Sequence, residues 1–326
     1  MEGNFFMQIY KTLYRKKFLE LKTVIITVLM LMLVGCQNID NTSSSNNNVQ
    51  KTVTLSDSLG REITANIPAQ KIISLAASNT EIIFAIGANE NLIGRDEYSD
   101  YPPEALNVES IGSLYPQVNS EIIVNLEPDL ILAAGITSPE DVKTLENLGF
   151  IVYTSSNASN LDDIYNDITN IGILTGNSEN ASALTENMKS RVKAIETPVD
   201  GQSVSIFYEI DATEPSKPWT PGSGSFIDTI ITSAGGQNIG ANSDDPYWQI
   251  SLEQLIDLDP DIIILGSSKY GGQNISTVTN RSGWESLSAV KTKQIYEFDD
   301  DLVSRPGPRV IEGIETISNI INKVNK

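Results

Sequence analysis

The sequence contains no histidine and a single cysteine, Cys36. The lack of histidine excludes Ser-His-Asp hydrolysis, histidine-based zinc sites and histidine-ligated haem. A single thiol excludes internal disulfides and cysteine-rich metal sites. We therefore expect a protein that holds no metal and has no resident cofactor.

Basic residues are also scarce. The chain of 326 residues has 22 Lys and Arg against 42 Asp and Glu, which gives a formal charge of −20 and a pI of about 4.3. It has no basic stripe of the kind that binds nucleic acid, so we expect no such partner, and its acidity is typical of a solvated surface. With 40% hydrophobic residues, a chain of this length can form two domains with separate cores.

The N-terminal segment has the layout of a secretory signal. Basic residues between Lys11 and Lys22 precede an apolar run, Val24–Val34, that is too short to span a bilayer comfortably. The following Gly-Cys resembles the end of the lipobox of bacterial lipoproteins, which implies a signal peptide at 1–35 and lipidation of the Cys36 thiol. A transmembrane anchor or a buried cysteine is the alternative. Residues 36–51 are rich in Asn and Ser, which predicts a disordered tether.

One stretch of the sequence occurs twice. Glu121–Leu132 returns as Glu253–Leu265, and the interval from Glu121 to Glu253 equals the interval from Pro128 to Pro260. Each copy has the pattern of a short helix, a Pro-Asp break and an apolar run. Proline cannot continue a helix and restricts the residue before it, so these helices should end near Leu126 and Leu258. The apolar runs that follow are typical of strands buried on both faces of a parallel sheet.

Two copies of one unit predict two similar lobes of the α/β class. We expect Rossmann-like lobes with parallel sheets at 52–175 and 198–326. One long helix at 176–197, with apolar residues at helical spacing, is expected to join them. The alternating pattern of Lys51–Ile67 predicts an antiparallel hairpin at the start of the first lobe.

Two predicted helix starts offer polar groups. In the first lobe we expect a helix Glu81–Ile86 with Asn79 or Thr80 as its N-cap. In the second lobe the loop Gly222–Phe226, which includes Ser223, opens a helix and so could present backbone N–H groups to a polar ligand. This loop lacks the lysine of a phosphate-binding loop and the dinucleotide fingerprint, so we expect no nucleotide binding.

Aromatic side chains recur in loops that follow predicted strands. Ligands of open α/β sheets bind beyond the carboxyl ends of the strands, so two facing lobes would bring these loops to one cleft. Each aromatic residue alone is more typical of packing, but recurrence in both lobes favours a broad ligand platform. The aromatic candidates are Tyr98, Tyr101, Tyr115, Trp219, Tyr247, Trp248 and Tyr270. Arg305 lies in a late loop at the same level, whereas Arg309 is expected to begin the last helix.

Glu121 and Glu253 occupy equivalent positions of the repeat. An acidic residue in the first turn of a helix favours the helix dipole, so each residue taken alone is a helix-capping candidate. Their equivalence suggests instead two carboxylates at matching ends of a two-lobed body, where they would meet two basic sites on a partner. Both interpretations stay open at this point.

These motifs make the chain similar to the substrate-binding lipoprotein of an ABC importer. Within that superfamily of cobalamin and iron-siderophore binders it is most similar to the vitamin B12 branch, whose lobes are joined by a rigid helix. The resemblance covers residues 53–324 and implies the class III periplasmic-binding-protein fold, a binder rather than an enzyme, anchored to the outer face of the cell membrane through Cys36. The motifs that carry it are Ser78-Asn-Thr-Glu81, Tyr98-Ser-Asp-Tyr-Pro-Pro103, Asn119-Ser-Glu121, Leu126-x-Pro-Asp129, Gly235-Gly-Gln-Asn-Ile239 and Ser251-Leu-Glu-Gln254.

The resemblance also implies roles for single residues. Glu121 and Glu253 are implied to pair with arginines of the two subunits of a permease dimer, to which a monomeric binding protein delivers its ligand. The residues implied to line the ligand cleft are Ser78, Asn79, Tyr98, Tyr115, Trp219, Ser223, Tyr247, Trp248 and Arg305. Tyr115 stands where we expect tryptophan in this family, and the adjacent Tyr247 and Trp248 leave the counterpart in the second lobe ambiguous.

We expect the ligand to be cobalamin or a related corrinoid, with a ferric siderophore as the alternative. Anionic siderophores generally need several cations in the cleft to offset their charge, and the chain offers few. These candidates are Arg95, Lys217, Lys269 and Arg305. Two other classes are less favoured: an enzyme that uses Asp96, Glu97 and Asp100 as acid and base, and a surface adhesin. A doubled lobe with a helical bridge favours a ligand cleft that closes little, because a continuous helix resists hinge bending.

Overall fold

The computed structural model describes residues 51–195 and 203–324. The signal peptide predicted at 1–35, the lipidation site Cys36 and residues 37–50 of the predicted tether lie outside the described residues. The tether was predicted to reach residue 51, but Lys51 already belongs to the first strand. Strands β1 (Lys51–Ser56) and β2 (Glu62–Ile67) form the antiparallel hairpin that the alternating pattern predicts. None of the helices in the two described ranges is long and apolar enough to cross a bilayer.

The first half of the protein is built on a parallel sheet. Its elements are β3 (Ile72–Ser74), α1 (Ala77–Ala85), β4 (Leu92–Arg95), α2 (Ser120–Leu126), β5 (Leu130–Ala133), α3 (Pro139–Asn147), β6 (Val152–Thr154) and α4 (Leu161–Leu174). The strand order is β4-β3-β5-β6. Because successive side chains of a strand point to opposite faces, β5 packs Leu130 and Leu132 against α1 and α4, and Ile131 and Ala133 against α2 and α3. Strand β5 is therefore buried on both faces, as its apolar run predicts.

Helix α1 begins at Ala77, earlier than predicted, and neither Asn79 nor Thr80 is its N-cap. The N-cap prediction was wrong because both side chains have tertiary partners. The Asn79 amide donates to two carbonyls at the end of β5, and the Thr80 hydroxyl donates to that of Ser74 at 2.8 Å. The Thr80 partner is only six residues away along the chain, whereas the Asn79 partners are 53 and 54 residues away, beyond the reach of a local sequence pattern.

A helix leads from the first half of the chain towards the second. Helix α5 spans Ser178–Lys193 and packs along α4. It lies within the predicted linking helix at 176–197 and is shorter at both ends. Residues 196–202 are outside the described ranges.

The second half repeats the architecture of the first. Its elements are β7 (Val204–Glu209), β8 (Trp219–Pro221), α6 (Phe226–Ser233), β9 (Gly236–Asn238), β10 (Tyr247–Gln249), α7 (Leu252–Leu258), β11 (Ile262–Leu265), α8 (Ser268–Gly271), α9 (Ile275–Thr279), α10 (Ser288–Lys291), β12 (Ile295–Glu297), α11 (Asp301–Ser304) and α12 (Val310–Val324). The parallel sheet has the order β9-β7-β11-β12 and matches β4-β3-β5-β6 strand for strand. The interval from the start of β3 to the start of β7 equals that from β5 to β11, and both equal the interval between the two copies of the repeated sequence. Strands β8 and β10 form a separate antiparallel pair.

The helices of the repeat end where proline predicts. Helices α2 and α7 stop at Leu126 and Leu258. The next residues, Glu127 and Asp259, take the left-handed conformation with φ of 51° and 37°. This conformation turns the chain out of the helix, and the following proline cannot return to it.

The aspartate of each Pro-Asp pair anchors a neighbouring strand. Asp129 accepts hydrogen bonds from the N–H groups of Gln70 and Lys71, at 2.8 and 3.0 Å, directly before β3. Asp261 accepts from the N–H of Ser205 at 2.8 Å, at the start of β7. The repeated motif thus fixes the relative position of two adjacent strands in each sheet.

A buried ion pair joins the two halves. Arg309, directly before α12, donates to the Glu81 carboxylate of α1 at 3.0 and 2.6 Å, and both side chains are buried. The guanidinium also lies 3.8 Å from the centroid of the Tyr101 ring. Burial raises the pKa of Glu81, and the hydrogen bond from Arg309 opposes that rise. The last helix begins at Val310, so Arg309 precedes it rather than beginning it, and its side chain links the two halves of one compact unit.

Substitution of Glu81 tests the importance of this pair. Glu81→Ala leaves the buried guanidinium without a partner, so we expect a loss of about 3–5 kcal/mol in the free energy of unfolding, measured by urea denaturation. Glu315→Ala is the matched control, because Glu315 pairs with Arg191 at 2.6 Å where both side chains are partly exposed. That change should cost less than about 1 kcal/mol. Equal losses in the two variants would contradict the role of Glu81.

Candidate functional site

A recess of about 330 Å³ lies between the two halves. One wall includes Asn157, from the loop after β6, and the other includes Tyr247, Asp300 and Ser304. Asp300 and the short helix α11, which ends at Ser304, follow β12, so the recess lies beyond the carboxyl ends of strands from both sheets. This is the position at which open α/β sheets bind ligands.

The antiparallel pair β8–β10 sets the direction of three aromatic side chains. In its register Trp219 lies opposite Gln249, and Pro221 lies opposite Tyr247. Because side chains alternate along a strand, Trp219 and Tyr247 share the face towards the cleft and Trp248 points the other way. The Trp248 indole packs on the core of the second half and donates from Nε1 to the Gly240 carbonyl at 2.9 Å. Of the adjacent pair, only Tyr247 therefore faces the cleft.

Tyr115 and Tyr247 are equivalent positions of the repeat. They are separated by the same interval as the two glutamates, and each stands four residues before the N-cap of a repeated helix, Asn119 or Ser251. Both rings are exposed, that of Tyr115 to 86%. The duplicated unit therefore includes these tyrosines, and the equivalence favours Tyr247 over Trp248 as the counterpart of Tyr115. Comparison of the two copies of the repeat upstream of Glu121 would have shown from the sequence alone that Tyr247 corresponds to Tyr115.

The Tyr98 ring is exposed in the loop after β4, and two carboxylates of the same loop accept hydrogen bonds. Asp96 is buried and accepts from the N–H of Tyr98 at 3.0 Å and from the Ser99 hydroxyl. Burial raises the pKa of Asp96. Asp100 accepts from Arg305 at 2.6 Å; although burial opposes it, this bond lowers the pKa of Asp100. These two carboxylates are thus occupied in holding the loop and in joining it to the second half.

The candidate cations of the cleft region are already paired. Arg305 contacts Asp301 at 3.1 Å in addition to Asp100. Lys269 contacts Asp299 at 3.2 Å and Asp301 at 2.5 Å. Acidic groups here outnumber these two cations, so the region offers little positive charge to an anionic ligand.

The other two candidate cations add little positive charge to the cleft region. Arg95 is buried and donates to the carbonyl oxygens of Ala105 and Asp96 at 2.8 and 2.9 Å. Lys217 is exposed in the loop before β8. Within residues 51–195 and 203–324, no cluster of Asp, Glu, His or Cys could hold a metal ion. The absence of a resident cofactor stays a prediction.

Two predicted polar ligand contacts are used inside the fold. Asn79 is buried, donates to the carbonyls at the end of β5 and accepts from the Ser155 hydroxyl at 2.7 Å. Its neighbour Ser78 is also buried. The Ser223 side chain is exposed, but its N–H donates to the Ser243 carbonyl at 2.8 Å. We therefore leave the Asn79 side chain and the Ser223 N–H out of the candidate contacts.

Glu121 and Glu253 lie exposed in the first turns of α2 and α7. The N-caps are other residues: Asn119 accepts from the N–H of Ile122 at 3.3 Å, and Ser251 accepts from that of Gln254 at 3.2 Å. Neither glutamate is therefore needed as the cap. A helix that connects parallel strands runs back along the sheet, so its first turn lies at the carboxyl edge, the edge that bears the cleft.

The family of periplasmic binding proteins has a sequence model that matches residues 72–302, which span both sheets and the cleft. The chain belongs to this family. It is 33% identical, over 89% of its length and 93% of the relative, to an uncharacterized ABC transporter substrate-binding lipoprotein of Bacillus subtilis. It is 32% identical to the vitamin B12-binding protein of Vibrio cholerae, over 79% of this chain and 91% of that protein. A solved structure described as a possible iron-binding periplasmic solute-binding protein from Staphylococcus epidermidis superposes with a TM-score of 0.69 at 28% identity, covering 78% of this chain and 99% of that one.

These similarities confirm the resemblance drawn from the sequence motifs. The periplasmic binding protein is a component of ABC import that works outside the cytoplasm, and it has the class III fold of two parallel-sheet halves. Its relatives are transport binding proteins, so the interpretation as an enzyme is excluded.

A buried carboxyl group anchors the wall of the recess. Asp167 in α4 accepts from the Ser156 N–H at 3.0 and 3.1 Å and from the Ser156 hydroxyl at 2.5 Å. Ser156 directly precedes Asn157 of the recess. Burial raises the pKa of Asp167 to about 6, although the bonds from Ser156 oppose the rise.

This shift predicts a pH dependence of stability. Because the pKa in the folded state, about 6, lies above the ordinary value of 3.8, the folded protein binds the proton more tightly than the unfolded chain. The resulting stabilisation, about 3 kcal/mol, is complete below about pH 4 and is lost as the pH rises through about 6. Asp167→Asn should lack this component, whereas Asp162→Asn, at an exposed position of α4, should keep it. Urea denaturation between pH 4 and 7 measures both, and parallel curves for Asp167→Asn and the parent protein would refute the assignment.

Proposed function

We propose that the protein captures cobalamin or a related corrinoid in the cleft between its halves and delivers it to the permease dimer of an ABC importer. The observation that carries the proposal is the pair of equivalent, exposed tyrosines, Tyr115 and Tyr247, one in each half. The similarity to the vitamin B12-binding protein of Vibrio cholerae supports the same ligand class.

A corrinoid suits the shape and polarity of these surfaces. The corrin is a broad ring system with two faces, and equivalent aromatic rings in two facing halves can pack on opposite faces of one flat ligand. Trp219 shares its strand-pair face with Tyr247, and Tyr98 is exposed in the other half. We propose that these aromatic side chains together form a wide platform for the ligand, beside charged groups that are already paired with one another.

Charge separates the corrinoid from the alternative, a ferric siderophore. A siderophore-binding function is favoured by the similarity to the Staphylococcus epidermidis protein, which is described as possibly iron-binding. Arg305 and Lys269 are, however, already paired with carboxylates. An anionic siderophore would have to break those pairs, whereas a near-neutral corrinoid would not.

Titration of the purified protein with cyanocobalamin, followed by tryptophan fluorescence and calorimetry, tests the ligand. We expect saturable one-to-one binding in the micromolar range or tighter. Tyr115→Ala and Tyr247→Ala should each weaken binding by about tenfold, because each removes a ring that packs on the ligand. Trp248→Phe should change the affinity little, because that indole faces away from the cleft. Absence of cyanocobalamin binding, together with saturable binding of a ferric siderophore, would make the siderophore the ligand.

Delivery is proposed to depend on Glu121 and Glu253. Their exposure, their equivalence and their place at the cleft edge support pairing with one arginine on each of two permease subunits. The Glu81–Arg309 pair and the α5 helix resist separation of the halves, so the docked permease would have to draw them apart to release the ligand.

Charge reversal separates docking from binding. The double variant Glu121→Arg with Glu253→Arg should abolish uptake of radiolabelled cyanocobalamin by cells that lack the native copy, because it opposes the permease arginines with like charge. Ligand affinity of the purified variant should be unchanged. The control, Glu179→Arg with Glu186→Arg, makes the same charge change at exposed positions of α5 and should transport normally. Loss of ligand binding in the first variant would contradict a docking role.

We further propose that a lipid on the Cys36 thiol holds the protein at the outer face of the membrane. The lipobox-like sequence before Cys36 and the Bacillus subtilis relative's description as a lipoprotein support this. The Asn- and Ser-rich residues that follow would give the folded body reach to a permease in the same membrane.

A further inference from the structure

The two repeated helices share a pattern of exposure as well as a sequence. The residues that follow the glutamates by two, Ile123 and Leu255, are completely buried in the cores of their halves. The next residues, Val124 and Ile256, are aliphatic but exposed to 44% and 38%. They too are separated by the interval of the repeat. Packing in the core therefore explains why Ile123 and Leu255 are apolar, but it does not explain why Val124 and Ile256 are.

Each exposed aliphatic side chain adjoins a docking carboxylate. Val124 lies three residues after Glu121 in α2, and Ile256 lies three residues after Glu253 in α7. Residues three apart are neighbours on the surface of a helix, so each helix presents a carboxylate and an aliphatic group side by side. A single exposed aliphatic residue is ordinary, but one at the same register beside the same carboxylate in both halves indicates a shared use.

We propose that Val124 and Ile256 form the apolar half of each contact with the permease. This inference rests on the proposed docking role of Glu121 and Glu253. An ion pair that stays in water contributes little, and an apolar neighbour that excludes water from it strengthens it. Each permease subunit would therefore offer an apolar side chain next to its arginine.

The duplicated surface fits a partner with two-fold symmetry. Two equivalent acidic and aliphatic surfaces in one chain match two identical subunits, which is the arrangement of a permease dimer. A second copy of this chain does not fit, because docking through these surfaces would place carboxylates of like charge against each other. The permease dimer is accordingly the occupant that the charge and the repeat both favour.

The test uses the full chain, expressed in cells that lack the native copy. Val124→Ser with Ile256→Ser removes the aliphatic groups, and because Val, Ile and Ser have similar helix propensities the helices should persist. Uptake of radiolabelled cyanocobalamin at limiting amounts of the protein should fall about tenfold, because two apolar contacts are lost, while ligand affinity of the purified protein stays unchanged. Leu148→Ser is the control: Leu148 is 49% exposed and directly follows α3, at the opposite edge of the sheet.

Photo-crosslinking gives a direct readout. A benzophenone amino acid at position 124 or 256 should form an adduct that mass spectrometry identifies as the permease, and the same group at position 148 should not. Wild-type uptake by the Val124→Ser, Ile256→Ser variant, with uptake still abolished by charge reversal of both glutamates, would overturn this inference and leave the docking carboxylates standing. Wild-type uptake by the charge-reversal variant as well would overturn both. Adducts formed with a second copy of this chain in place of the permease would also overturn it.

Discussion

The buried pair between Glu81 and Arg309 is the contact on which the arrangement of the two halves depends. A buried ion pair adds little net stability over apolar packing, but separation of its partners exposes two charges that must then be rehydrated or left unpaired. The pair joins the first helix of one half to the residue directly before the last helix of the other, and the Tyr101 ring covers the guanidinium. The pair is therefore a buried polar link between the two halves.

The repeated unit places equivalent residues at equivalent positions in the two halves. The Asp129 and Asp261 carboxylates lock equivalent strands in the two sheets, so the helices before them start at the same height on each half. A tyrosine four residues before each N-cap is exposed, and so is a glutamate in the first turn of each helix. One short motif thus supplies the aspartate that positions a strand, a tyrosine that is a candidate ligand contact and a glutamate that is a candidate docking contact. Their spacing along the chain is the same in both halves because all three belong to one repeated segment.

Local rules predicted much of the chain correctly and failed in a recognisable way. The helix ends at Leu126 and Leu258 follow from proline sterics, and the buried strands follow from apolar runs without polar alternation. The N-cap assigned to Asn79 or Thr80 failed because Thr80 bonds back to Ser74 at the end of β3, and Asn79 bonds to carbonyls of β5, which only folding brings beside it. The Ser223 N–H, expected to be open to a ligand, is bonded to Ser243 for the same reason.

The sequence by itself determined the α/β class, the two-fold repeat, the family and the candidate docking carboxylates, because all of these reside in local patterns and their spacing. The repeat interval matches Tyr247 to Tyr115, but only the tertiary structure showed that the Trp248 indole packs on the core, since that depends on the strand pairing with β8. The tertiary structure also decided that Arg305 is neutralised by Asp100, 205 residues away, and that Arg309 is paired with Glu81, 228 residues away. Contacts between such distant residues depend on how the two halves pack, and no short-range pattern encodes that packing.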